Sequence, residues 1–83
     1  MWIRTQDKKE LVNVIRVNIG GIYGDKTKKA SVLGYFAPDG LFSSNNVILG
    51  QYQSIEDAIT EIDNIQKSIL ANPNSVYQMK SSL

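Results

Sequence analysis

From Ser54 to Ala71 the apolar residues Ile55, Ala58, Ile59, Ile62, Ile65 and Ile69 recur at intervals of mostly three and four. Glu56, Asp57, Thr60, Glu61, Asp63, Asn64 and Lys67 occupy the positions between them. That period predicts an amphipathic helix over about 54–71. Ser54 offers an N-cap hydroxyl, with Asp57 three residues on as a variant of the capping box. Acidic residues in the first turns suit the positive end of the helix dipole. Asn72 before Pro73 supplies the stop, since Asn tolerates a left-handed residue past a helix and Pro cannot continue one. Ile59, Ile62 and Ile69 are expected to form its core-facing side.

The pattern before residue 54 has strand character. Strands are expected at about 2–5, 11–19, 30–37 and 47–53, with a last edge strand at 76–79. The run Leu11–Ile19 is rich in β-branched residues and unsuited to a helix. Gly20-Gly21, Gly24-Asp25 and Pro38-Asp39-Gly40 mark turns. Val32-Leu33-Gly34-Tyr35-Phe36 and Ile48-Leu49-Gly50-Gln51-Tyr52 resemble one another and are expected to pair, each glycine marking a bulge or a close approach. The fold class expected is α+β: an antiparallel sheet of four to five strands with one amphipathic helix packed on one face, as a single domain over 1–83.

Such a sheet should alternate apolar and polar residues. In the second strand, however, Leu11, Ile15, Val17 and Ile19 take one face while Val12 and Val14 take part of the other, and Val47-Ile48-Leu49 is apolar throughout. One helix covers one face. A second copy is the simplest cover for the rest, so a mass at least twice the 9.3 kDa of the chain is expected.

Composition narrows the chemistry. The chain has no His and no Cys, which removes the commonest general base, the usual transition-metal ligands, the best nucleophile and any disulfide. No enzymatic activity and no cofactor are expected. Asp57 and Glu61 stand one helical turn apart, a spacing compatible with a hard cation, but acids on a helix face ordinarily serve solubility, and no metal site is expected. No apolar run approaches the roughly 18 residues of a spanning helix, and the polar start does not read as a secretory signal, so a cytoplasmic protein is expected.

Net charge is +1, unevenly spread. Residues 1–40 hold seven Lys/Arg against four acids, and residues 41–83 hold two against four. The segment Gly20-Gly21-Ile22-Tyr23-Gly24-Asp25-Lys26-Thr27-Lys28-Lys29 is either a plain turn or an anion-binding loop, in which glycines let amides approach a phosphate and lysines add charge. In the second case Arg4, Arg16, Gly20, Gly21, Tyr23, Lys26 and Lys28 are the candidate ligand contacts, an Arg being able to grip a phosphate through two parallel hydrogen bonds. Nucleic acid is not the expected partner, because a pI near 8.0 falls short of the roughly 9 typical of such domains.

Met1-Trp2-Ile3-Arg4-Thr5-Gln6-Asp7-Lys8 with Leu11-Val12-Asn13, then Leu49-Gly50-Gln51-Tyr52 and Val76-Tyr77-Gln78-Met79, resembles a family of short uncharacterised proteins from prophages and integrative elements of Gram-positive bacteria. The family pattern often has Pro after Gln-Met, where this chain has Lys80. The resemblance carries no catalytic residues. It implies a phage-type binding protein in the host cytoplasm that counters host defence by sequestering a nucleotide signal in a homo-oligomer. The alternative is a protein–protein interaction module that occludes or regulates a host or phage enzyme.

Overall fold

A computed structural model of the chain describes residues 1–21, 30–37 and 45–81. Its elements are β1 (Trp2–Arg4), β2 (Leu11–Asn13), β3 (Arg16–Gly21), β4 (Ala30–Tyr35), β5 (Asn46–Tyr52), α1 (Ile55–Ala71) and β6 (Val76–Gln78). The protein is α+β, with one helix among the described residues. In place of one antiparallel sheet of four to five strands, the described residues form two three-stranded sheets, ordered β2-β1-β6 and β3-β4-β5. The second sheet is an antiparallel meander, whereas in the first β1 pairs antiparallel with β2 and parallel with β6.

The division arises inside the run expected as a single strand over 11–19. Val14 N–H donates to Met1 O at 2.8 Å, extending the β1–β2 ladder, and Ile15 N–H donates to Tyr35 O at 2.7 Å, starting the β3–β4 ladder. The chain therefore changes sheets between two adjacent residues. The inward positions change parity with it, from Val12 and Val14 to Val17 and Ile19. This phase shift accounts for most of the doubly apolar pattern without a second cover. It also corrects the face assigned to Leu11 and Ile15, which are exposed, Ile15 at 72%. A bulge does the same in β5: Val32 faces Gly50 and Leu33 faces Ile48, so Leu49 is the extra residue and turns into the core. Gly34 makes room for this packing, since a Cβ there would lie 2.8 Å from Val14 Cγ1 and 3.0 Å from both Leu49 methyls.

Ile3, Val14, Ala30, Val32, Leu49, Tyr52, Ala58, Ile65 and Met79 form the core. The helix begins at Ser54, whose Oγ accepts from Asp57 N–H at 3.1 Å. It ends at Asn72, which is extended (φ −158°, ψ 98°) rather than left-handed, the conformation that a following Pro imposes. The buried helix residues are Ala58, Glu61 and Ile65. Ile62 is partly buried, while Ile59 (47%) and Ile69 (38%) are exposed, so the expected core face is rotated. The cause is Glu61. A charged residue at the centre of an inward face reads as outward in any hydropathy pattern.

Glu61 is fully buried and its carboxylate is saturated with donors. Tyr77 O–H and Asn64 Nδ2 donate to Oε1 at 2.9 and 3.0 Å, and Lys80 N–H donates to Oε2 at 2.6 Å. The Tyr52 hydroxyl lies 3.2 Å from Oε2 and 2.7 Å from Lys80 O, sharing its single proton between them. One carboxylate thus joins α1, β5, β6 and the residues after β6. Burial first, and the facing Glu61 second, push both phenols well above their ordinary pKa.

Two outcomes follow. Glu61→Ala orphans three part-buried donors, the Tyr77 hydroxyl, the Asn64 carboxamide and the Lys80 amide, at about 1–3 kcal/mol each. A loss of at least about 3 kcal/mol is expected by urea unfolding, against roughly 4–12 kcal/mol for a whole domain of this length. The second concerns alkali. With folded-state pKa values above the unfolded value of about 10, the folded chain retains phenol protons that the unfolded chain has lost. The stability these two tyrosines confer is complete below about pH 10 and declines as pH rises toward their folded values. Urea unfolding from pH 8 upward, with tyrosinate absorbance followed in parallel, should show stability and delayed ionisation changing together. Ionisation of every tyrosine near pH 10 in an intact fold is the contrary result.

Candidate functional site: the outer face of the β2-β1-β6 sheet

Alternation along β1 buries Ile3 completely and turns Trp2 and Arg4 outward. The register places Val76 beside Trp2 on the β6 side, and Leu11 beside Arg4 on the β2 side. Trp2 is 46% exposed, a large aromatic surface left open on a face that also carries cations. A cleft of about 410 Å³ opens on this side, lined by Arg4, Lys8, Lys9, Glu10, Leu11 and Val76.

The β1–β2 turn positions its lysines. Thr5 N–H donates to Glu10 O at 2.9 Å, and Lys8 N–H donates to Thr5 O at 2.8 Å. Lys8 itself is left-handed, with φ 66°. Asp7 Oδ1 accepts from the Thr5 hydroxyl at 2.7 Å and from Lys9 N–H at 3.0 Å. These hydrogen bonds, Thr5 foremost, hold the Asp7 carboxyl below its ordinary value, so its charge serves the turn. Arg4 Nε donates to Lys8 O at 3.1 Å, which fixes the guanidinium at the rim and leaves its terminal nitrogens for a ligand. Three cationic side chains thus border one cleft beside an open indole. An arrangement of this kind suits a flat ring stacked on Trp2 with an anionic group toward Arg4, Lys8 and Lys9.

Of the residues read from the sequence as ligand contacts, Arg4 lies in this cleft. Arg16 does not. It opens β3 in the other sheet, with its guanidinium 5.2 Å from the centroid of the Tyr35 ring, and lines a different cleft. Gly20 and Gly21 pair with Ser31 and Ala30 at the far end of β3, about 13–16 Å from Arg16 at the rise of a strand. Tyr23, Lys26 and Lys28, with Gly24 and Lys29, lie outside the described residues. Arg4 and Arg16 are therefore not brought together, and Arg16 does not neighbour the Gly20–Gly21 end of its strand.

Lys8 and Lys9 escaped the sequence reading as ligand contacts; the signal that could have found them is the short gap between the strands expected at 2–5 and 11–19, which the structure closes as an antiparallel pair. Asp57 and Glu61 do not act as a pair, since Glu61 is committed to its buried donors. Among the described residues there is no group of three or more acidic, His or Cys side chains able to hold a metal ion. Nor, among them, is any helix long and apolar enough to cross a membrane. Comparison with known proteins gave no match: no family model, curated protein or solved structure is detectably similar to the chain.

Proposed function

We propose that the chain is a non-enzymatic binding protein that takes a nucleotide-derived anion on the outer face of the β2-β1-β6 sheet. The observation that carries this reading is the open indole of Trp2 on the same face as Arg4, beside a cleft bordered by Lys8 and Lys9. A base offers a π-face to stack on the indole, and its phosphate offers acceptors to the three cations. The prophage-like sequence pattern supports a wider form of the reading, in which the protein counters host defence by sequestering a nucleotide signal. No catalytic step is required, because capture alone removes the signal.

Trp2 is the only tryptophan, so its fluorescence reports on the face directly. Titration with a panel of cyclic nucleotides and ADP-ribose derivatives should quench Trp2 with one class of compound. The same compound should raise the melting temperature, as any ligand of the folded state must. Arg4→Ala is expected to cost about 1.5–3 kcal/mol of that binding, the range for a hydrogen bond to a charged group, while Arg16→Ala and Lys67→Ala leave it nearly unchanged. Unaltered fluorescence and melting across the panel would overturn the reading.

A further inference from the structure

Lys8 has a backbone conformation that its side chain does not favour. At φ 66° it is the one non-glycine residue with positive φ among the described residues. It ends the turn that its N–H closes on Thr5 O, a place in a hairpin where Gly or Asn ordinarily relieves the crowding of Cβ. Contacts on both sides hold the turn in this shape. Asp7 Oδ1 accepts from the Thr5 hydroxyl and from Lys9 N–H, Glu10 N–H donates to Thr5 Oγ1 at 3.1 Å, and Thr5 N–H donates to Glu10 O. Backbone strain persists where its surroundings over-determine it, and here it has two products. The Lys8 carbonyl is set toward β1, where it accepts from Arg4 Nε at 3.1 Å, and Lys8 itself lines the cationic cleft.

We infer that Lys8 is the positioning residue of the anion cleft as well as one of its contacts: its left-handed carbonyl presets the Arg4 guanidinium, and its ammonium meets the same anion. This inference rests on the anion-binding reading above. An arginine has a long flexible stem, and ordering it on a ligand opposes binding unless the order exists beforehand. With Nε held by Lys8 O, the two terminal nitrogens reach the anion side by side. That end of the fork offers two parallel hydrogen bonds to two oxygens of one phosphate. Glycine at position 8 would keep the carbonyl in place and relieve the backbone, but would lack the ammonium. A β-branched residue would lack the ammonium and also resist the conformation, releasing Arg4. Stability and affinity therefore move in opposite directions on Lys8→Gly, which a residue serving the turn alone would not show.

The test uses the full chain with inorganic pyrophosphate, which presents phosphates without a base to stack on Trp2. Arg4 and Arg16 are the two arginines of the chain, so nitrogen-15 spectra hold two Nε–H signals, told apart by Arg16→Lys. Arg4 Nε–H should exchange with solvent about tenfold or more slower than Arg16 Nε–H. Lys8→Gly should keep that protection and raise the melting temperature by about 3–6 °C, while weakening pyrophosphate binding about tenfold. Lys8→Val should lose the protection and bind about a further threefold to tenfold less tightly. In an Arg4→Lys background, which lacks the guanidinium, the Gly and Val variants should bind alike. Lys8→Gly that is no more stable than the wild type, or that binds pyrophosphate equally well, would overturn the inference, as would an Arg4 Nε–H that exchanges as fast as that of Arg16. Absence of pyrophosphate binding by a wild type whose Arg4 Nε–H is protected would overturn the anion-binding reading and this inference together.

Discussion

The buried carboxylate of Glu61 is the constraint on which the fold depends. It has no cation beside it among its hydrogen-bond partners. Two phenols, a carboxamide and a backbone amide stand in its place, drawn from β5, α1, β6 and the residues that follow β6. A carboxyl removed from water is costly unless its acceptors are filled, and here each oxygen has two donors within hydrogen-bond reach. The arrangement works in both directions, because the same donors would be stranded without the carboxylate. Glu61 therefore acts less as an isolated stabilising contact than as a condition for the C-terminal segment to dock.

That docking bears on the candidate site. β6 is three residues long and joins its sheet only through β1, in a parallel ladder continued by Met79 N–H to Arg4 O at 3.1 Å. So short a pairing is weak alone. Tyr77 and Lys80, at its centre and just past its end, are both held by Glu61. Gln6 adds a second tie: its Nε2 shares two hydrogens among the Gln51, Lys80 and Ser81 carbonyls, and its Oε1 accepts from the Gln51 amide. With β6 in place, β1 is a central strand, Ile3 is fully buried, and Trp2 and Arg4 are presented on a supported face. The chain of dependence runs from a buried acid, through a docked strand, to an open indole beside a cationic cleft.

Some of this was legible in the sequence and some was not, for identifiable reasons. The helix was legible because its period extends over five turns and its caps are local. The two-sheet division was not, because the switch at Val14–Ile15 involves no Gly, Pro or polar break. Its trace is the shift of inward valines from even to odd positions, which also reads as a strand apolar on both faces. The core face of α1 was misplaced because Glu61 counts as polar wherever it points. Only the approach of Tyr52 and Tyr77, 9 and 16 residues away, makes it an inward residue. Arg4 was read as a candidate ligand contact from charge alone. The company it keeps, Lys8 and Lys9 across a turn and Trp2 along the strand, depended on the hairpin register.

The most direct measurement is amide hydrogen exchange at Lys80. If Glu61 anchors the segment, this amide opens only when β6 undocks, and exchange should be slowed by about a thousandfold or more relative to an unstructured amide. Protection should extend to Met79, whose amide bonds Arg4 O. Exchange of Lys80 within about tenfold of the unstructured rate, with the helix amides still protected, would mean that the C-terminal strand is not held by Glu61 and that the face built on β1 lacks the support described.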